Sequence, residues 1–471
     1  MLDQSFSVHN LEVIFDLENR KGNIDINWMP EGYRNAAAEM KELRHQIGEL
    51  KSRGHKKTKE DIERIIELEK SYIKEKDKKE ESRQAFLKDC EDKINSKDFK
   101  FTMTKFLDKD ADKEVFKLNT NEPAVFFVLK QLQYNINKTF KVKQANRHAI
   151  LCDVKAFLHT IMPLHIIRTD ISSFYESIPQ AALLEKVEGN TLLSHRSKAF
   201  IRAILKLYDD CKDETRVSKG VGVPRGVGIS PLLSEIYVRD LDSRIKSFIG
   251  TQFYARYVDD IFVILTTLPD GQKNSKDCFI KLKKMFGKYG LTLKDETDPK
   301  KKCKILDVID DESFDTFDYL GYSITITRNN KQTVATFGLS ENKIKHFKEK
   351  VDHIVAHFEN KSKVNIKDAY KEFFDLLNYI TGNTKLFKSK AYVKVGLYYN
   401  NDLLDRKEDL DTLQQYLRDK NIEPSHNATG WAACKTKIAQ KIRKIDFHER
   451  WEQKKMFHFS LAKIQEMEAW L

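Results

Sequence analysis

The stretch YARYVDDIFVIL, residues 254–265, constrains the fold more than any other part of the chain. Two short runs rich in aromatic and β-branched residues flank the adjacent acids Asp259 and Asp260. This is the pattern of two strands joined by a tight turn, with the acids at the turn. Two carboxylates ~4 Å apart repel by about 4 kcal/mol at an effective dielectric of 20. A fold that keeps them in an apolar setting has to bring positive charge to the turn.

A second acid stands in a similar setting. In HIIRTDISSFYESI, Asp170 ends an apolar strand, and Ser172 and Ser173 open a polar turn. If the strands are neighbours, Asp170, Asp259 and Asp260 share one patch. Such a patch needs a cation, and hard carboxylate oxygens select Mg²⁺ or Mn²⁺. Two such ions about 3.5–4 Å apart activate a primer 3′-hydroxyl and stabilise a leaving pyrophosphate, which is nucleotidyl transfer. Between the acids lies GVGVPRGVGISPLLSEIY. Gly220, Gly222, Gly226 and Gly228, with Pro224, make a backbone that approaches another group closely. Ser230 and Pro231 then read as an N-cap followed by proline at the first helical position. Such a loop supports a templating base or nascent base pair without side-chain obstruction.

Around this centre the chain changes character several times. Residues 1–32 are a mixed lead-in. Residues 33–98 are dominated by Lys, Glu, Arg and Asp. Met40, Leu43, Ile47 and Leu50 follow the 3-4-3 spacing of a coiled-coil seam. Gly54 marks a turn, Thr58 is an N-cap with Asp61 three residues on, and Ile62, Ile65, Ile66, Tyr72 and Ile73 start a second stripe. The segment reads as an antiparallel helical hairpin, either a solvated structural arm or a contact arm for RNA or a partner subunit. From about residue 99 to 330 the runs AVFFVL, HIIRTDI, DIFVIL and FDYLGYSITI read as strands. QAALLEKV and LLSEIYVRDLDSRI read as helices, giving an α+β core. From about Ser340 onward the pattern is helical, with basic outer faces on ENKIKHFKEKVDHIVAHF and IKDAYKEFFDLLNYI.

Composition narrows the function class. A 40% hydrophobic content fits a globular chain, and 83 Lys and Arg against 71 Asp and Glu give a formal net charge of +12 at pH 7. A basic chain of this size meets a polyanion, with nucleic acid the leading candidate. The six cysteines Cys90, Cys152, Cys211, Cys278, Cys303 and Cys434 form no CxxC pair, so zinc or thioredoxin-type chemistry is not indicated. They read as reduced thiols of a cytoplasmic protein. The first residues carry acids and no long apolar core, unlike a signal peptide, and no run approaches the ~20 apolar residues that span a bilayer.

The segments RTDISSFYESI, GVPRGVGISPLLSEIY, YVDD, GLTLKDETDPKKKCKI and FDYLGYSI resemble, in order and spacing, the palm motifs of reverse transcriptases. The resemblance implies a right-hand polymerase with an inserted N-terminal charged helical hairpin. Residues 99–160 would be fingers, 161–335 palm (with fingers elements at about 180–218), 336–400 a helical thumb and 401–471 a C-terminal helical extension. It implies two Mg²⁺ ions, with Mn²⁺ as a substitute. Asp170 and Asp259 would be the main ligands, Asp260 assisting and the Ile171 carbonyl touching a metal. Tyr175 falls where the family carries an aromatic gate against the ribose 2′-hydroxyl. Arg147 and Lys143, in KVKQANRHAI, fall where the fingers hold the incoming triphosphate by charge-assisted bonds. Leu320, Gly321 and Tyr322 match the primer-grip hairpin. The family's pyrophosphate-protonating lysine is one of Lys300, Lys301, Lys302 and Lys304, and spacing does not choose among them.

One position departs from the pattern. The family usually has glutamine after the loop proline, and here Arg225 precedes Gly226 in the nucleotide site. Arginine donates hydrogen bonds but accepts none, which touches template handling more than catalysis. No carboxylate cluster of an RNase H domain follows residue 340, the tail is short for a maturase, and QANRHAI and YITGN match retron segments poorly. The remaining outline resembles bacterial defence-associated, unknown-group reverse transcriptases. LDQSFS, FDLENRKG and TGNTKLF resemble stretches of the first member of the class 3 antiphage pair. The resemblance implies an RNA template (in that class a non-coding RNA), dNTPs, a DNA product, a second reverse transcriptase as partner and an oligomeric state. Other readings remain open at this level. They are an RNA-binding or partner-binding scaffold, template-independent or protein-templated DNA synthesis, and a retron-type enzyme.

Overall fold

A computed structural model describes residues 3–54, 58–108, 113–249, 253–386, 393–422 and 431–471. Two compact units make up the chain. Residues 1–144, 173–242 and 289–291 form the first, and residues 145–172, 243–288 and 292–471 form the second. The protein is mixed α+β, as the alternation of short apolar runs and helical patterns predicts.

In the first unit, helices Glu31–Ser52 and Lys59–Asn95 are the two arms of the charged hairpin. Thr58 accepts from the Asp61 amide at 3.1 Å and the Asp61 carboxylate accepts from the Thr58 amide at 2.9 Å, a reciprocal cap of the second arm. Residues 55–57, part of the connecting turn, lie outside the described residues. The first arm buries only Tyr33, Ala36 and Leu43. Contacts between the arms, such as Lys51 with Glu69 at 2.7 Å, are solvent-exposed ion pairs that contribute little stability. The run AVFFVL is not a strand. It lies in helix Pro123–Phe140, opened by proline in its first turn and buried almost all round, including Phe127 against Phe15 and Phe86. A helix apolar on every side shows no 3.6-residue period, so its short apolar run cannot be told from a strand. Strands β1 (Met103–Asp108) and β2 (Lys113–Leu118) pair antiparallel.

The second unit is built on a four-stranded antiparallel sheet of order β4-β5-β3-β6. Its strands are β3 (Leu164–Asp170), β4 (Phe253–Tyr257), β5 (Asp260–Leu265) and β6 (Lys304–Val308). Every residue of β3 is buried, the polar His165, Arg168, Thr169 and Asp170 as well as the apolar Leu164, Ile166 and Ile167. A second sheet follows, with β7 (Phe314–Tyr319), β8 (Tyr322–Asn329) and β9 (Gln332–Leu339) in meander order. One core joins the two sheets to helix Arg147–Leu158, with Phe262 4.6 Å from Tyr319 at its centre. His165 of β3 and Ser275 both bind the Asp307 carboxylate at 2.5 Å, pinning helix Ser275–Gly287 to the sheet.

The C-terminal part packs helices Glu341–Ser362, Ile366–Thr381, Glu408–Arg418 and Phe447–Glu452 around Val351, Phe358, Phe373, Leu410 and Phe447. It is not wholly helical as expected. Strands β10 (Asn383–Lys385) and β11 (Lys394–Gly396) interrupt it. Gly396, at φ +131°, lets the two backbones meet: a Cβ there would stand 2.2 Å from the Gly382 carbonyl oxygen. Cys90, Cys152, Cys211, Cys278 and Cys303 are free thiols, and the side chain of Cys434 lies outside the described set. Among the described residues no helix is long and apolar enough to cross a membrane.

Candidate active site

Antiparallel register brings the acids together. Asp170, the last residue of β3, pairs directly with Asp260, the first of β5. Asp259 sits in the two-residue turn between β4 and β5, and its carbonyl accepts from the Ile171 amide at 2.9 Å. The other central residue of that turn, Val258, has φ +58°. This is the arrangement of a type II′ turn, where glycine is usual, and a β-branched residue there stores roughly 1–3 kcal/mol of strain. Arg256 Nη1 donates to the Val258 carbonyl at 2.8 Å and braces the turn.

On the other side, the segment carrying GLTLK runs along the end of β3. Ser172 donates to the Thr292 carbonyl at 2.8 Å, and Lys294 donates to the Asp170 carbonyl at 2.9 Å. Ile171 lies between these bonds, fully buried and bridged to Leu293.

Three cations meet two of the three carboxylates, Asp170 and Asp260. Alternation along β3 puts Arg168 and Asp170 on one face, and Arg168 Nη2 reaches Asp260 Oδ1 at 3.3 Å. Lys294 Nζ stands 3.3 Å from Asp170 Oδ1 and Lys302 Nζ 3.6 Å from Asp170 Oδ2. Burial, then the charges of Asp170 and Asp260, pushes the Asp259 carboxyl above the usual range. Asp260 is also raised by burial, with Lys302 and Arg168 pulling the other way. Of the four lysines that compete for a role in the sequence, the structure separates three. Lys302 faces Asp170, Lys304 pairs with Asp315 at 2.8 Å, and Lys301 occupies a turn at φ +49°.

Among the described residues, no three His, Cys, Asp or Glu side chains stand close enough to hold an ion as they are. The donor chemistry still suits a hard divalent ion: buried carboxylates at one sheet end whose mutual repulsion is only partly offset. Beside them, Arg168 Nε and Tyr319 Oη are buried and find no hydrogen-bond partner among the described residues. Arg168 was not singled out from sequence, although an arginine inside an otherwise apolar strand, two residues before an acid, is a visible signal.

The turn between β7 and β8 is Leu320-Gly321, at φ +43° and +78°, a type I′ connection. Arg147 Nε donates to the Leu320 carbonyl at 3.1 Å, and its Nη2 donates to the same oxygen. A Cβ on Gly321 would stand 2.7 Å from Arg147 Nη2 and 2.8 Å from Lys343 Cε. Lys343 lies 4.2 Å over the Tyr322 ring and donates to Asn401 Oδ1 at 2.5 Å. Burial, reinforced by Arg147, lowers its pKa to about 7. Thus the structure gathers Arg147, Leu320, Gly321 and Tyr322 and adds Lys343, which no motif announced.

The remaining predicted nucleotide-site residues belong to the first unit. Lys143 lines an 830 Å³ cavity with Lys21, Lys130, Lys138 and Lys141. Away from that cavity, Tyr175 and Arg225 meet each other: the guanidinium lies 5.0 Å from the ring centroid. Arg225 also pairs with Glu176, Nε to Oε1 at 2.8 Å and Nη2 to Oε2 at 3.2 Å. Gly226, at φ +92°, lets the loop approach β2, since a Cβ would stand 2.7 Å from the Phe116 carbonyl oxygen.

The profile of the family described as "Reverse transcriptase (RNA-dependent DNA polymerase)" matches residues 101–324, just under half of the chain. No curated protein matches. Among solved structures, apo telomerase from Candida tropicalis truncated from its C-terminal domain is similar at 18% identity over 43% of this chain and 45% of that one, with a TM-score of 0.29. Telomerase from Candida albicans in complex with a TWJ fragment of telomeric RNA is similar at 13% identity over 74% and 66%, TM-score 0.33. Apo telomerase from Candida tropicalis is similar at 14% identity over 74% and 56%, TM-score 0.34. The chain spans about half to two thirds of the length of these telomerase chains. Residues 101–324 are a reverse transcriptase domain, and the enzyme class of that domain is RNA-directed DNA polymerase.

Proposed function

We propose that this chain extends a primer along an RNA template, adding deoxynucleotides by two-metal nucleotidyl transfer. The observation that carries the reading is the convergence of Asp170, Asp259 and Asp260 at one end of the β3–β5 sheet, inside the matched reverse transcriptase domain. In this reading Asp170 and Asp259 hold the divalent ions, Asp260 assists, and the Ile171 carbonyl completes the set. Divalent ions bound there supply activation of the primer hydroxyl and stabilisation of the leaving pyrophosphate.

The chain's own groups do the rest. Lys302, already at Asp170, is the donor of a proton to pyrophosphate. Leu320, Gly321 and Tyr322 carry the primer end. Arg147 fixes that turn with two of its five N–H donors and offers others to the incoming triphosphate, with Lys143 as a second cation. Tyr175 excludes the ribose 2′-hydroxyl. Residues 99–160, 161–335 and 336–400 serve as fingers, palm and thumb.

The purified protein, given an RNA template, a DNA primer, dNTPs and Mg²⁺, incorporates deoxynucleotides, and Asp259→Asn does not. Absence of incorporation by the unaltered protein, over a panel of templates that includes its co-purified RNA, overturns the reading. Placement within antiphage defence rests on the stretches LDQSFS, FDLENRKG and TGNTKLF. Its separate test is plaque formation on cells carrying the unaltered chain or Asp259→Asn.

A further inference from the structure

The departure at Arg225 is explained by what the side chain touches. Its planar guanidinium is spent in two directions within the first unit. One edge binds Glu176 through two roughly parallel N–H···O bonds, at 2.8 and 3.2 Å. One face lies over the Tyr175 ring, 5.0 Å from its centroid. Both partners of the ion pair are partly buried, with side-chain exposures of 27% for Arg225 and 17% for Glu176. The positive charge is therefore matched locally by an adjacent carboxylate.

The backbone around this cluster is fixed as well. The Val223 amide donates to the Tyr175 carbonyl at 2.8 Å, and the Gly222 amide donates to the Ile178 carbonyl at 2.7 Å. The Phe116 amide donates to the Arg225 carbonyl at 2.7 Å. Gly222, at φ +89°, has no room for a Cβ, which would stand 2.8 Å from Tyr208 Oη and 3.2 Å from Glu176 Cα. The glycine-rich loop and the turn bearing Tyr175 and Glu176 are thus stitched together by main-chain bonds. The Tyr175 ring itself meets the Arg225 guanidinium and the neighbouring Phe174 ring, the latter 5.6 Å away between centroids. A glutamine at position 225 could neither form the forked bond to Glu176 nor present a delocalised cation to the ring.

We propose that Glu176 and Arg225 are positioning residues that hold the Tyr175 ring in the attitude from which it discriminates deoxyribose from ribose. The inference rests on the reading of Tyr175 as the sugar gate of a polymerase. In it, the carboxylate sets the guanidinium and the guanidinium sets the ring. A loosened ring gives way to a 2′-hydroxyl, so ribonucleotides enter, whereas deoxynucleotides, which never press on the ring, are handled as before.

The test measures single-nucleotide incorporation of dGTP and GTP opposite a template cytosine. The proteins are the unaltered chain, Glu176→Gln, Arg225→Met and Tyr175→Ala, each checked for an unchanged melting temperature. Glu176→Gln is isosteric, and Arg225→Met keeps much of the side-chain volume, so a folding failure of one leaves the other to decide. The expected result is a fall of about tenfold in the ratio of kcat/KM for dGTP to that for GTP in both variants. In Glu176→Gln the change lies in the KM for GTP, with kcat for dGTP held within about twofold, whereas Arg225→Met, at a predicted nucleotide-site residue, is read by the ratio alone. A merely structural role would lower both nucleotides' kcat together and leave the ratio in place, which overturns the proposal. A discrimination ratio unchanged in both pair variants but lost in Tyr175→Ala overturns the proposal and leaves the gate standing. A ratio unchanged in Tyr175→Ala removes the gate and the proposal with it. Failure of the unaltered chain to use dGTP at all overturns the polymerase reading itself.

Discussion

Asp170 and Asp260 face one another directly across the antiparallel pair β3 and β5, and Arg168 on the same face reaches only the second of them, at 3.3 Å from Asp260 Oδ1. Two carboxylates that register forces together, plus Asp259 in the turn beside them, leave this sheet end with mutual repulsion. A carboxyl whose folded pKa is raised, as for Asp259, ionises more readily in the unfolded chain, so its charge costs stability above the folded value and the cost fades as pH falls. Asp259→Asn is therefore expected to stabilise the protein at neutral pH, raising the melting temperature in chelator-treated buffer by about 2 °C, while incorporation falls to background. An inactive variant that melts lower than the parent would contradict this account of the site.

Gly321 is held by geometry on two counts. Its φ of +78° disfavours any side chain, and a Cβ would press on Arg147 Nη2 and Lys343 Cε. Gly321→Ala is expected to cost roughly 2 kcal/mol through backbone strain and displaced neighbours. Because Arg147 binds the carbonyl of Leu320, the same change should weaken primer use, seen as a higher KM for primer with a smaller effect on the KM for dNTP. Equal effects on the two KM values would count against the grip assignment.

The acids were legible because their flanks were. The runs before Asp170 and around Asp259 and Asp260 are apolar strands ending in charge, a pattern that local sequence carries in full. The Leu320-Gly321 turn came only through the resemblance to the primer-grip hairpin, because FDYLGYSITI reads locally as one strand-like run that the structure splits between β7 and β8. AVFFVL was misread because a helix buried on all sides has no amphipathic period. Val258 sits at a positive φ that sequence would assign to glycine, so the turn type at the acids could not be read from it. Glu176 and Lys343 were missed for a different reason. Each acquires its role from a partner distant in sequence, Arg225 for the one and Tyr322 and Asn401 for the other. The choice of Lys302 over Lys304 likewise depended on which strand-end carboxylate each ammonium meets.

Lys343 makes stability depend on pH in the neutral to alkaline range. Its folded pKa is lowered from 10.5 to about 7, chiefly by burial. Between those values the unfolded chain binds the proton and the folded chain does not, so stability rises with pH. Below the folded value both states are protonated, and the penalty of the buried ammonium is fully present. Lys343→Met is expected to stabilise the protein most at pH 6–7 and progressively less toward pH 10. Melting temperatures of the parent and the variant across that range should converge, and parallel curves would show that Lys343 does not titrate in this window.

Lys302 and Lys304 sit two residues apart with equal charge but different partners, Asp170 for the first at 3.6 Å and Asp315 for the second at 2.8 Å. If the ammonium facing Asp170 supplies the proton to pyrophosphate, its loss removes a general acid, a contribution of typically about 10²–10⁴ in rate. Lys302→Met is expected to lower single-turnover incorporation by about 10² or more, with a KM for dNTP that changes little. Lys304→Met breaks a pair with Asp315, which lies on another strand, so its effect on incorporation should be far smaller. Rapid-quench measurements on both variants decide between them, and a larger loss at Lys304 would move the general acid away from Asp170.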